Sequence, residues 1–216
     1  RWAVQYSLDS KIPSSYDGFH QLMPPKHTWW GDPQAAQQDD DYYIFIEELA
    51  LPRSRNHARI SVIKLNADGG HEGPVPVLER PYHLSYPFVF EWKGSHYMVP
   101  ESSNNRTIEL YEAEEFPYRW RFVKDIMTNV EAVDTTIVRR HGLWWLFTNM
   151  RENEGGPIND ELFLFRSDDL LGDDWVPHPL NPIVTDVRSA RPAGRIFEMD
   201  GVLYRPSQDC SKCYGY

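Results

Sequence analysis

An all-β fold built from repeated units of about fifty residues is what this sequence predicts, and three observations predict it. Aromatic residues make up 14% of the 216, prolines number 17, and long alanine- and leucine-rich segments are missing. Such a chain favours strands and turns over helices. Hairpin turns then recur as register marks at Asp40, Gly94, Gly142 and Gly201, which stand 48 to 59 residues apart. Three residues after each mark comes an aromatic (Tyr43, Tyr97, Trp145, Tyr204), and seven after it a polar side chain (Glu47, Glu101, Asn149, Gln208). Eight residues before the marks stand Asp32, Tyr86, Asp134 and Ala193. Units of this length with about four strands each fit the blades of a β-propeller.

Taken in order, residues 1–28 are less regular, with Trp2-Ala3-Val4-Gln5-Tyr6 as a candidate strand that joins the last blade and closes the ring. The first unit, 29–70, opens on Trp29-Trp30-Gly31-Asp32-Pro33, turns at Asp39-Asp40 and returns through Tyr42–Glu48. Asp32 and Glu47 are equidistant from that turn, so a regular antiparallel hairpin sets them face to face. Ile60–Leu65 fills an outer strand, and Gly69–Pro74 separates this unit from the second, 71–129. There Leu110-Tyr111 leads to Trp120, as Leu164-Phe165 leads to Trp175 in the third unit, 130–186. The third also carries an insertion, Glu152–Asn159, while the fourth, 187–216, stops soon after its second strand. No composition shift marks a second domain. Four units are too few to close a five-bladed ring, so the expectation is a single propeller domain whose ring is incomplete or whose chain continues.

A net charge of -10 argues against a nucleic-acid partner, since no basic patch is there to displace counterions. No apolar run reaches the roughly 18 residues of a membrane span. The chain starts at Arg1 without methionine, which leaves room for a removed leader and keeps the compartment open. Cys210-Ser211-Lys212-Cys213 lacks a second ligand pair at metal spacing and reads as two inert or locally bridged thiols. No histidine cluster has metal spacing either, so neither metal nor cofactor is expected.

In a propeller the start of each first strand and the end of each second strand emerge on one face. This groups Asp32 with Glu47, Tyr86 with Glu101, Asp134 with Asn149, and Ala193 with Gln208, with His83, Arg191, Arg195, Arg205 and Asp209 nearby. A funnel of acids, amides and aromatics suits a glycan or glycoconjugate, because carboxylates and amides bond hydroxyls and rings stack on a sugar face. Trp30 and Tyr86 fall where strands emerge and are candidate sugar contacts, with Glu47, His83, Asn149, Arg191, Gln208 and Asp209. Trp144, Trp145, Tyr42, Tyr43 and Tyr97 recur in register and read as packing between blades. Glycosidic cleavage needs two carboxyl groups in different environments. The candidates are Asp32 as the base that activates water, Glu101 as the acid, and Asp134 as the group that orients and tunes them, with inversion favoured by a wide separation. The alternative role for Asp32 and Asp134 is to accept backbone N–H bonds at strand starts.

Several motifs carry a family resemblance: Trp30-Gly31-Asp32-Pro33, Pro81-Tyr82-His83-Leu84-Ser85-Tyr86-Pro87 with Pro100-Glu101-Ser102, Asp134-Thr135-Thr136 with Trp144-Trp145-Leu146-Phe147, and Arg205-Pro206-Ser207-Gln208-Asp209-Cys210. From about Trp29 to Tyr216 the chain resembles the five-bladed propeller domain at the N-terminal side of plant glucosamine inositolphosphorylceramide transferases and of bacterial surface-polysaccharide proteins. More distantly it resembles family 43 and family 32 glycoside hydrolases. The resemblance implies that Asp32 matches their first-blade base or nucleophile, and Asp134 the third-blade aspartate that tunes the family 43 acid. The fourth blade departs, reading Arg191-Pro192-Ala193-Gly194 where family 43 carries its acid in Glu-Gly-Pro. Two expectations follow: a glycosidase-like enzyme working through Asp32, Glu101 and Asp134, or a non-catalytic glycan-binding module that accompanies a transferase. A scaffold that binds protein is a third, and the oligomeric state is left open.

Overall fold

A computed structural model describes residues 3–8, 15–52, 57–66, 70–153 and 155–213. Among them every regular element is a strand apart from one 3-10 turn at Ser103–Asn105. Packing divides the chain into two compact units, Arg1–Pro87 and Phe88–Tyr216.

The first unit holds β1 (Val4–Tyr6), β2 (His20–Leu22), β3 (Thr28–Gln38), β4 (Asp41–Ala50), β5 (Arg59–Leu65) and β6 (His71–Leu78). β3 to β6 form a four-stranded antiparallel meander in chain order. Thus His71–Leu78, expected at the start of the second unit, is the outer strand of the first sheet, and the described part of the Gly69–Pro74 linker runs into it. The candidate strand at 2–6 is present as β1, with Trp2 outside the described residues, but it pairs with β2 and not with a strand of the last repeat, as ring closure required. Val4, Tyr6 and Leu22 pack with Trp30, Ile44, Ile46, Ile63 and Leu65 into one apolar core. Burial on both faces explains that packing: β4 and β5 carry nearly continuous buried runs where an alternating pattern would mark a one-sided strand.

β7 (Ser85–Trp92) carries the boundary between the units and begins the next sheet, which continues through β8 (Ser95–Ser102), β9 (Thr107–Glu115) and β10 (Arg119–Thr128). A third four-stranded meander follows, β11 (Ala132–Arg140), β12 (Leu143–Met150), β13 (Leu162–Ser167) and β14 (Val176–Pro177). The fourth repeat is a two-stranded hairpin, β15 (Phe197–Met199) with β16 (Val202–Tyr204). Phe90 packs against Tyr97 and Trp144, with Trp92 edge-on to Trp144. Met98, Leu110, Tyr111 and Leu146 are fully buried around them.

The turn marks are where the sequence put them. Lys93-Gly94, His141-Gly142 and Asp200-Gly201 each adopt positive φ at both positions. That is the two-residue turn whose twist matches the strands it joins, and glycine takes the second position without a Cβ clash. Cys210 and Cys213 are both free thiols.

Leu146, with no exposed surface, tests the third sheet's share of the core. Leu146→Ala should lower unfolding free energy by about 2–5 kcal/mol, read as a shift in denaturant midpoint at unchanged slope.

Candidate functional site

The position eight residues before each of the first three turn marks is a structural corner. Asp32, Tyr86 and Asp134 have φ of 46°, 39° and 52°, a left-handed conformation rare outside glycine and most tolerable for Asp and Asn. In β3 and β11 a bulge accompanies the corner. Gly31 pairs with Glu47 and Gln34 with Phe45, while Val133 pairs with Asn149 and Thr136 with Phe147. This corrects the expected register: Asp32 does not face Glu47, nor Asp134 face Asn149. The bulge inserts an extra residue, so each aspartate is aimed away from the ladder.

In the first unit, Oδ2 of Asp32 accepts the N–H of Tyr86 at 3.3 Å, one left-handed corner tied to the next. Glu47 is buried, and its Oε1 lies 3.0 Å from Nε2 of His83. Nδ1 of His83 accepts the N–H of Ala58 at 3.3 Å, and Leu84 N–H donates to Ala58 O at 3.1 Å. A backbone N–H can only donate, so the imidazole proton sits on Nε2 and points at Glu47. His83, expected as a sugar contact, therefore has both ring nitrogens engaged. Trp30 and Tyr86, also expected at the sugar face, are buried at 3% and 2% exposure, Trp30 inside the first unit's core. Both rings are taken up in packing and leave little surface for a ligand.

In the second unit Glu101 and Asp134 come together with Arg191, Gln208 and Asn159. Asp134 is 1% exposed. Arg191 holds it with two bonds, Nε to Oδ2 at 2.5 Å and Nη2 to Oδ1 at 3.2 Å. Gln208 Nε2 adds a bond to Oδ2 at 2.9 Å and another to Pro192 O at 3.0 Å, which uses both amide hydrogens. Nη1 of Arg191 donates to Oδ1 of Asn159 at 2.5 Å. Glu101 Oε2 accepts the backbone N–H of Asp134 at 3.3 Å and lies 3.9 Å from Nη2 of Arg191. Burial pushes the Asp134 carboxyl above its ordinary range, while the Arg191 charge, the bonds it donates and the Gln208 amide pull it back.

The expected glycan-facing donors Arg191 and Gln208 thus point into the protein and clamp Asp134. Asn149 is fully buried, and neither atom of its amide has a hydrogen-bond partner among the described residues. Asp209 accepts Ser211 N–H at 2.9 Å, and the Ser211 bonds hold its carboxyl below the usual range. Asn159 escaped sequence reasoning because it sits at the end of the insertion, outside the repeat register. Of the two second-unit carboxylates, Glu101 keeps the more exposure, 15% of its side chain. Among the described residues no group of three or more His, Cys, Asp or Glu side chains could hold a metal.

The clamp has a measurable consequence. Arg191→Met leaves Asp134 buried beside no cation and should cost about 3–5 kcal/mol of unfolding free energy. Adding Asp134→Leu to it should restore part of that loss in the same denaturation experiment, since an apolar pair needs no compensation.

Residues 25–216 match the family described as glucosamine inositolphosphorylceramide transferase 1, N-terminal. The transferase of that name from Oryza sativa subsp. japonica is 36% identical over 187 residues, 85% of this chain and 25% of that protein. The chain therefore spans about a quarter of the length of the curated relatives it matches. Among solved structures, Zg3597, a family 117 glycoside hydrolase from Zobellia galactanivorans, superposes with a TM-score of 0.60 at 16% identity, covering 74% of this chain and 58% of its own. The GH43 protein BlXynB from Bacillus licheniformis gives 0.58 at 19% identity, covering 82% and 37%. Likeness at these identities shows the fold alone. The fold is a propeller of the glycoside hydrolase 43 and 117 type with an incomplete fourth sheet, and the chain belongs to the glucosamine inositolphosphorylceramide transferase 1 N-terminal family.

Proposed function

We propose that this carbohydrate-related chain is a glycan-recognition module that serves a glycosyltransferase, and that it does not itself cleave glycosidic bonds. One observation carries the reading. Arg191 stands where the hydrolase resemblance would place the general acid, and its guanidinium grips Asp134 through two hydrogen bonds. General acid catalysis needs a carboxyl group that holds a proton at neutral pH and can reach the leaving oxygen. Asp134 is enclosed, with both oxygens accepting bonds from Arg191 and Gln208, which supports a structural role for it. Glu101 accepts a backbone N–H and lies 3.9 Å from the Arg191 cation, and its carboxyl oxygens suit sugar hydroxyls. The transferase named in the matching family supports the association with sugar transfer.

On this reading Asp32 and Asp134 are corner residues, and Glu101 is the carboxylate that meets the glycan. A panel of neutral oligosaccharides and aryl-glycosides, offered to the full chain, tests it. Saturable binding without turnover is expected, and Glu101→Gln should weaken binding about tenfold, the loss of one charge-assisted bond. Hydrolysis that disappears in Asp32→Asn would overturn the reading and leave the glycosidase one in its place.

A further inference from the structure

We propose that a cleft at one end of the first sheet is a second binding site, for a single oxyanion, phosphate or carboxylate, carried on a sugar. The cavity is about 420 Å³, a volume that fits a monosaccharide unit. Four strand ends build it: Thr28 opens β3, Ala50 closes β4, Arg59 opens β5, and Glu79-Arg80 follow β6. This site goes beyond the glycan-recognition reading. It lies within Arg1–Pro87, whereas Glu101 belongs to the second unit.

His57, Arg59 and Arg80 line the cleft, facing two carboxylates, Glu48 and Glu79. Glu48, the nearest carboxylate, is already satisfied: its Oε2 accepts the Ser61 hydroxyl at 2.6 Å and Arg59 Nε at 3.2 Å. That contact orients the Arg59 guanidinium by one edge. Its two terminal nitrogens have no hydrogen bond to any described residue, and the side chain is 39% exposed. A planar fork held by Nε and open at Nη1 and Nη2 matches the two oxygens of a carboxylate or phosphate. Arg80 is steered by its Nη1 bond to Glu79 O at 3.0 Å, and His57 is exposed.

Glu79 narrows the ligand class further. A carboxylate on the wall repels a polyanion but accepts hydroxyl hydrogens, as the Thr28 hydroxyl also can. The combination selects one charged group on an otherwise neutral, hydroxyl-bearing body. Nucleic acid, with a charge on every residue, fits poorly.

Calorimetric titration of the full chain with inorganic phosphate, glucuronate, glucose 6-phosphate and glucose decides the matter. Saturable binding of at least one of the three anions is expected, weakened about tenfold by Arg59→Gln and by Arg80→Gln, and reduced by added salt. Both side chains lie at the surface, so circular dichroism should match the wild type. If one variant misfolds, the other gives the same comparison. Phosphate without glucuronate assigns a phosphate site, the reverse a carboxylate site. Anion binding unchanged in both variants, or absent from the wild type, overturns the proposal. The Glu101→Gln comparison with neutral glycans is independent, so either reading can fail alone.

Discussion

The ion pair between Arg191 and Asp134 is the constraint on which the second unit depends. An aspartate enclosed in a β core is tolerable only when its charge and lone pairs are met, and Arg191 with Gln208 meets them. The bonds come from residues 57 and 74 positions further along the chain, so the clamp sews the third sheet to the two segments that flank the last hairpin. Arg191 O in turn accepts Gln208 N–H at 2.9 Å, and Pro192 bridges to Ser207. The short fourth repeat therefore draws its order from charged contacts, Arg191 with Asp134 and Arg140 with Glu198, and from backbone bonds more than from burial of Val202, Leu203 and Tyr204, which remain exposed.

A simpler device recurs between successive repeats. A left-handed corner leaves its backbone N–H outside the ladder, and a carboxylate from the preceding repeat supplies the acceptor. Asp32 does this for Tyr86, and Glu101 does it for Asp134. The Tyr82-His83-Leu84-Ser85-Tyr86 stretch, which carries much of the family resemblance, is explained locally by such ties. His83 bonds Glu47 and Ala58, Leu84 bonds Ala58, and Tyr86 bonds Asp32. These residues fasten a crossing segment to the sheet it leaves.

Much of this architecture was legible in the residues. Strand period, glycine at the turns and the recurrence of Tyr43, Tyr97 and Trp145 expose the four repeats, since turn chemistry and alternation are local properties. Family membership was legible for the same reason, through motifs that sit at corners and turns. The edges of the repeats were harder: Val75, Pro76 and Val77 of β6 lie among prolines and glycine that read as linker. The site resisted most. A one-residue bulge reverses the facing of a side chain, and nothing in Gly31-Asp32-Pro33 or Val133-Asp134-Thr135 announces one. Arg191 was a candidate from the sequence, but its partners Asp134 and Asn159 were beyond reach, because those bonds are set by tertiary contact across long separations.

The left-handed corners bear on how such a chain can drift. At φ near 50° a β-branched residue is strained, whereas aspartate, asparagine and glycine are comfortable. Backbone shape alone thus accommodates an aspartate at positions 32 and 134, as it accommodates a tyrosine at 86. A carboxylate at such a corner can serve the turn of the chain without serving as a reagent.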